Sequence, residues 1–236
     1  MKRNEKIPSY KITDLGPDAG RSNDVEFYRL EDFISNTDRI TAPHRHDHFA
    51  LFLITAGTGW QVIDFNRYEI RPARLFLVAP GQVHAWGDIE GVKGYAVLFT
   101  REFFTLTLQY RELRAYLFSN IVYQHAFLDP DPERFSRLNN VFINIENEYQ
   151  HLRKYSDHII RSYVNIILFE VIRVYEKLTP PANEDATYIK LREFEDLVNQ
   201  NFRNMHSVAE YAAQLHITAN HLNAICRKQK DKSAGE

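Results

Sequence analysis

The spacing of apolar positions changes character twice along the chain. From 25 to 100 short apolar runs rich in aromatic and β-branched residues occupy 25–34, 48–56, 60–65, 74–79 and 95–100. Gly57-Thr58-Gly59, Pro80-Gly81 and the pair Gly91/Gly94 separate them, a pattern that predicts strands joined by turns. Two runs, Phe49-Ala50-Leu51-Phe52-Leu53-Ile54 and Leu75-Phe76-Leu77-Val78, are apolar at every position. Strands of that kind are buried on both faces, as in a barrel partly covered by helices. Beyond 100 the period becomes helical. Phe104, Leu108, Leu113 and Leu117 fall on one side of 101–118, and 132–148 opens with a proline directly after Asp131. Over Ser156–Leu178 two apolar stripes run side by side, one through Ile160, Val164, Ile167, Val171, Val174 and Leu178, the other through Ile159, Tyr163, Ile166, Phe169 and Ile172. One stripe can dock on the strands; the other calls for a partner, either 106–149 of the same chain or a second copy.

Thr179-Pro180-Pro181 ends that periodicity, since prolines cannot continue a helix, and the polar stretch 179–187 is predicted as a linker. Helical spacing resumes through Leu191, Phe194, Leu197, Val198 and Phe202. Two short amphipathic helices follow, with Val208, Tyr211, Ala212 and Leu215 in the first and Leu222, Ile225 and Cys226 in the second. Ser207 and Thr218 precede them as N-caps, and Glu210 stands where a capping box needs it. Only His216-Ile217-Thr218 lies between. Two helices so tightly joined form either an ordinary helical hairpin or a helix-turn-helix, whose second helix enters a major groove. In the second case the outward residues are the readers: Asn220, Asn223 and Ala224 after Ala219 at the helix start, with Arg227 and Lys228 at the basic end. Asparagine can pair with adenine edges, whereas the cations suit phosphate.

Composition narrows the setting. An apolar content of 44% over 236 residues supports a sizeable core in one large or two modest domains. The formal net charge of −2 announces no global basic field, but a small basic patch would be diluted in that total. A single cysteine excludes an internal disulfide framework and fits a reducing cytoplasm. The polar start Met1-Lys2-Arg3-Asn4-Glu5-Lys6 is unlike a signal peptide, and no apolar run reaches membrane-spanning length, so a cytoplasmic location is expected. Residues 1–24, polar and broken by Pro8, Gly16, Pro17 and Gly20, are predicted as a loosely ordered arm.

Two stretches resemble one family. The segment from Phe194 to the end looks like the first half of the DNA-binding domain of AraC-type transcription regulators, matching through Phe202, Ser207, Ala212, Leu215, Asn220, His221, Leu222 and Asn223. Ala224 stands where that family often carries a longer reader, and Asp231 where it often has glycine. The order HRHDH (44–48), GTGW (57–60), IDF (63–65) and LFLVAPGQVH (75–84) looks like the cupin barrel found in the N-terminal half of the same regulators. The resemblance implies an α+β chain: a flexible arm over 1–24, a cupin-like ligand-sensing barrel over 25–104, a helical dimerisation section over 105–178, the linker 179–187, and the first helix-turn-helix over 188–236. Such domains carry two of these motifs joined by a long helix. Since the sequence stops at Ser233-Ala234-Gly235-Glu236, where that helix would begin, a truncated chain lacking the second motif is expected.

The histidines carry the remaining chemistry. His44, His46 and His48 alternate and so share one face of a strand, and His84 falls where the second cupin motif of metal enzymes places a ligand. The slots for that set's glutamate are Ala50 or Phe52, neither of which can ligate. A three-histidine set of His44, His46 and His84 could hold zinc or a similar metal; otherwise these are hydrogen-bonded histidines at a barrel mouth. The preferred reading needs no cofactor. It is a small-molecule pocket lined by His44, His46, Trp60, His84 and Trp86, either tryptophan being alternatively plain core. The resulting expectation is a ligand-responsive regulator that binds double-stranded DNA and a small-molecule effector as a homodimer through Ser156–Leu178. The competing expectation is a metal-dependent cupin enzyme, an isomerase or oxygenase, disfavoured by the apolar glutamate slot and by the C-terminal helices.

Overall fold

The computed structural model describes residues 7–14, 24–35, 41–105, 126–178, 186–202, 204–230 and 232–235. The chain divides into two compact units, Met1–Ile172 and Arg173–Glu236.

In the first unit a short strand β1 (Ser9–Tyr10) is followed by a 3-10 turn over Ile12–Asp14, then β2 (Val25–Arg29), α1 (Leu30–Ser35), β3 (Arg45–His46), β4 (Phe49–Ile63), β5 (Asn66–Ile70), β6 (Arg74–Val78), β7 (His84–Phe99), α2 (Arg101–Thr105) and β8 (Phe127–Leu128). Among the described residues the main sheet is antiparallel in the order β2-β7-β4-β6-β8, with β5 paired to β4, while β1 and β3 pair in parallel apart from it. Two strands organise everything else. The segments 48–56 and 60–65, expected as separate strands, are one 15-residue strand β4. It runs against the 16-residue β7 through register shifts between Ile54 and Ala56, Ala56 and Thr58, and Thr58 and Trp60. Gly81 does lie between strands, but Gly57, Gly59, Gly91 and Gly94, also expected to end strands, bend them instead. At Gly94, with φ at +146°, an added Cβ would meet the Leu53 carbonyl oxygen at 1.9 Å, so only glycine lets the two backbones approach at the bend.

The first predicted strand also stops early. Its apolar pattern over 25–34 covers β2 and then α1, whose Leu30 enters the core while Glu31 accepts from the Gly94 backbone N–H. Part of the expected loose arm is ordered too. β1 pairs with β3, and Ile12 is buried in the inner core. The run at 60–65 ends in a two-residue turn: Asp64 and Phe65 both have positive φ between paired Ile63 and Asn66, as a tight hairpin of right-twisted strands requires.

The sheet is buried on both faces, as its all-apolar strands demand. Ala50, Phe52, Ile54, Phe76, Val78, Ala96 and Leu98 point into one cluster with Ile63, Ile70 and Trp86. The alternate positions Phe49, Leu51, Leu53, Leu75, Val97 and Phe99 are equally buried on the other side. On that side lies the long helix α3 (Pro132–His151), with Tyr149 6.0 Å from Phe27 and Phe142 5.8 Å from Tyr95, and it buries Leu138 and Ile145 too; a second long helix, α4 (Ser156–Leu178), buries Ile160, Val164, Ile167, Leu168 and Val171. Asp131 caps α3 by accepting from the Arg134 N–H, with proline in the first turn. Arg29 donates to both carboxylate oxygens of Glu146 at 2.5 and 2.6 Å, and Tyr149 donates to the buried Glu26, pinning α3 to β2. Of the predicted helix 101–118 only α2 falls within the described residues, and 106–125 lies outside them.

In the second unit α5 (Ala186–Asn201), α6 (Val208–Gln214) and α7 (Ala219–Lys230) enclose Leu191, Phe194, Tyr211, Ala212, Leu215, Leu222, Ile225 and Cys226. The capping box is present: Ser207 accepts from the Glu210 N–H, and the Glu210 carboxylate accepts from the Ser207 N–H. Thr218 caps α7 by accepting from the His221 N–H at 3.1 Å. Phe202, placed by its spacing with the apolar face, is instead 57% exposed.

Candidate functional site

One end of the inner core is polar. The backbones of His44 and His84 bridge each other, with His44 N–H donating to the His84 carbonyl at 3.0 Å and His84 N–H returning the bond at 2.8 Å. β3 adds His46, whose carbonyl accepts from the Gly81 N–H, and His48 leads directly into β4. All four imidazoles are buried and in contact. Ring centroids lie 4.2 Å apart for His44 and His84, 4.8 Å for His46 and His84, and 4.3 Å for His46 and His48, the last pair stacked at 14°. The loop before β7 is held to the hairpin tip by Asp64, which accepts from Gln82 Nε2 and from the Val83 N–H.

Burial sets the charge state of this cluster. Removal from water pushes His46 down to about 3, with the neighbouring His48 adding to the effect and the bond to the His48 carbonyl opposing it. His48 is lowered to about 4, again first by burial and then by His44, and His44 is lowered by burial against its bond to the Ala42 carbonyl. His84, deepest of the four, lies well below the ordinary 6.5 for the same reason, with its three histidine neighbours contributing. At neutral pH the quartet is therefore uncharged.

Apolar groups adjoin it. Phe52 lies 6.3 Å from the His84 ring and makes an edge contact at 5.2 Å with Trp86. His44, His46 and His84 thus lie together with Trp86 beside Phe52, and His48 and Gln61 join them. Gln61 is fully buried with its amide nitrogen 3.3 Å from His84 Nδ1. Trp60 does not join. On β4 Gln61 pairs with Trp86 and Ile63 with His84, so those side chains share a face, and Trp60, opposite Gly87, lies on the reverse. There its indole N–H donates to Asp88 at 2.6 Å, Arg67 covers its ring, and any Cβ at position 87 would meet the ring at 2.0 Å.

The three-histidine set His44, His46 and His84 does not converge. Among the described residues no three His, Cys, Asp or Glu side chains are placed to hold a metal ion. Ala50 and Phe52, at the slots a ligating glutamate would take, are apolar members of the inner core.

The second unit presents a polar helix face. On α7, Asn220, His221, Ala224, Arg227 and Lys228 are exposed, Ala219 is half-buried, and Leu222, Ile225 and Cys226 point into the core. His221, outside the expected reader set, belongs to this face. Asn223 is half-buried, and its side-chain oxygen accepts from the Ala234 N–H at 2.9 Å, so it anchors the turn at 232–235 instead of standing open.

Comparison with known proteins covers the first of these regions. Residues 32–160, more than half of the chain, match the AraC-like ligand binding domain, and the chain belongs to that family. No curated protein matches it. Among solved structures it is similar to the AraC-like transcriptional activator CuxR at 15% identity and a TM-score of 0.42, over 78% of this chain and 62% of that one. It is also similar to a variant of apo ToxT from Vibrio cholerae strain SCE256 at 15% identity and 0.44, over 87% and 74%. For ToxT of the same strain with a bound unsaturated fatty acid the values are 11% and 0.35, over 89% and 92%. The chain thus spans less than two thirds of the length of CuxR. The family assignment rests on the match over 32–160, not on these likenesses.

Proposed function

We propose that the protein is a ligand-responsive transcription regulator of the AraC type: the first unit senses a small molecule, and α7 of the second reads double-stranded DNA. The observation that carries the sensing half is the family match itself, since 32–160 spans both the polar core end and α3. The ligand lies against His44, His46, His84 and Trp86 at that end. Support for the reading half is the open polar face of α7, where Asn220 can meet a base edge and Arg227 and Lys228 can meet phosphate. Ligand binding biases the regulator between states of different DNA affinity.

The protein works as a homodimer through α4, which fits two DNA half-sites. Of its two apolar stripes, the one through Ile160, Val164 and Ile167 is buried, whereas the other leaves Ile159 39% and Ile166 46% exposed. Leu152 and Tyr155, just before α4, are exposed as well. A second copy is the occupant that would bury it. A metal-dependent cupin enzyme is the weaker reading, because the glutamate slots are filled by Ala50 and Phe52 within the core.

Thermal-shift titration of candidate sugars and aromatic metabolites tests the sensing role. A ligand at a hundred times its Kd should stabilise the fold by about 2.7 kcal/mol, and absence of any stabilisation across those classes would count against it.

A further inference from the structure

The polar end of the inner core holds unpaired atoms whose hydrogen-bonding sense is fixed. Nε2 of His46, Nε2 of His48, Nε2 of His84 and Oε1 of Gln61 are all buried without a hydrogen-bond partner among the described residues. Native proteins rarely keep such atoms unless something outside the chain pairs them. The opposite ring nitrogens decide what each atom can do. His46 Nδ1 faces the His48 carbonyl oxygen at 2.6 Å, and His48 Nδ1 faces the Asp47 carboxylate at 3.2 Å. Carbonyl and carboxylate oxygens only accept, so both Nδ1 atoms carry the proton, and in a neutral ring each Nε2 is then a bare lone pair. His84 is the reverse. With the Gln61 amide in this orientation, its nitrogen donates to His84 Nδ1, which puts the His84 proton on Nε2. The unpaired set is therefore three acceptors, His46 Nε2, His48 Nε2 and Gln61 Oε1, with one donor, His84 Nε2–H.

We propose that this end of the core recognises an uncharged, hydroxyl-bearing ligand and discriminates against carboxylates. The inference rests on the ligand-sensing reading above and adds the chemical class. A hydroxyl both donates and accepts, so one O–H can accept a hydrogen bond from His84 Nε2–H and donate one to His46 Nε2. A carboxylate offers only acceptors and would face three acceptors in a buried site. A metal ion is a poor match for the same lone pairs, because the stacked His46 and His48 rings are parallel and no three donors converge. The ligand's body is apolar where it meets Phe52 and Trp86.

Asparagine substitutions isolate the atoms at issue, because the Asn side chain reaches the position of a histidine Nδ1 but has nothing at Nε2. His46→Asn can still donate to the His48 carbonyl and His84→Asn can still accept from Gln61. The experiment uses the full chain with 15N-labelled histidine and two matched probe pairs: benzyl alcohol against benzoate, and cyclohexane-1,2-diol against cyclohexane-1,2-dicarboxylate. Expected are Nδ1–H tautomers for His46 and His48, an Nε2–H tautomer for His84, and saturable shifts of the His46 and His84 side-chain resonances with an alcohol probe. Affinity for the matching carboxylate should be lower by at least about tenfold, and each Asn variant should lose at least about tenfold of the alcohol affinity while melting cooperatively. Opposite tautomers, carboxylates binding as tightly as the alcohols, or alcohol affinity unchanged in both variants would overturn the inference while leaving ligand sensing intact. If neither probe class gives saturable shifts, the sensing role of this end falls with it.

Discussion

His46 and His48 show what burial does to a residue that water would leave half-charged. With their pKa values lowered to about 3 and about 4 from 6.5, both stay neutral when folded but take up protons when unfolded over the acid range. The unfolded state then binds more protons, so stability is complete above about 6.5 and falls as the pH drops from there toward 3, by up to about 1.4 kcal/mol per pH unit for each histidine. Urea titrations of the full chain at pH 7, 6 and 5 should show this decline, flattened in His46→Asn; equal stability at all three values would contradict it. On the face of α7 proposed to meet DNA, the division is between readers and anchors. Asn220→Ala should weaken preference for a selected sequence by about 1–3 kcal/mol, whereas Arg227→Ala should weaken binding to all duplexes and reduce the salt slope by about 0.9. Competition binding at several salt concentrations separates the two. The residue types of both regions were legible in the sequence, but the roles of Asn223 and Trp60 were not. Asn223 sits on the polar side of its helix by spacing, and only the return of 232–235 shows its oxygen to be taken by Ala234. Trp60 looked like a pocket residue because strand alternation gives no phase across a bend. Even-numbered residues face the inner core before the register shifts of β4, and odd-numbered ones, Gln61 and Ile63, face it afterwards.

At the scale of elements, capping and periodicity told most. The helix starts at Pro132 and Val208 stand where Asp131 and Ser207 announced them, because an N-cap is a local bond that neighbouring residues decide. Ser207→Ala should lower the stability of the second unit by about 0.5–2 kcal/mol, and Leu222→Ala, in its core, by about 2–5 kcal/mol, both measured by chemical denaturation. Strand ends were poorly legible for the opposite reason. Glycine reads as a terminator, yet Gly57, Gly59, Gly91 and Gly94 bend two long strands that continue through them, a matter of pairing partners far apart in sequence, such as Ile54 with Gly94 and Thr58 with Glu90. α4 carried two stripes with no internal sign of which would be covered; the one through Ile160, Val164 and Ile167 is buried, whereas Ile159 and Ile166 of the other are exposed. The proposed dimer therefore depends on Ile166. Ile166→Glu should behave as a monomer in light scattering where the parent is a dimer, and an unchanged mass would place the interface elsewhere.

For the molecule as a whole, the two units differ in kind: a both-faces-buried antiparallel sheet with a polar core end, and three small helices with a polar outer face. The joint claim is that ligand bound by the first changes the DNA affinity of the second, and coupling of that kind is reciprocal. The most direct measurement is fluorescence anisotropy of the full chain on duplexes selected from a random pool, at fixed low salt, with and without a ligand that raises the melting temperature. The account predicts tighter binding to selected than to scrambled duplex, and a Kd that moves about 5-fold or more when the ligand is added. Equal affinity for selected and scrambled duplexes, or a Kd indifferent to a ligand that demonstrably binds, would contradict it.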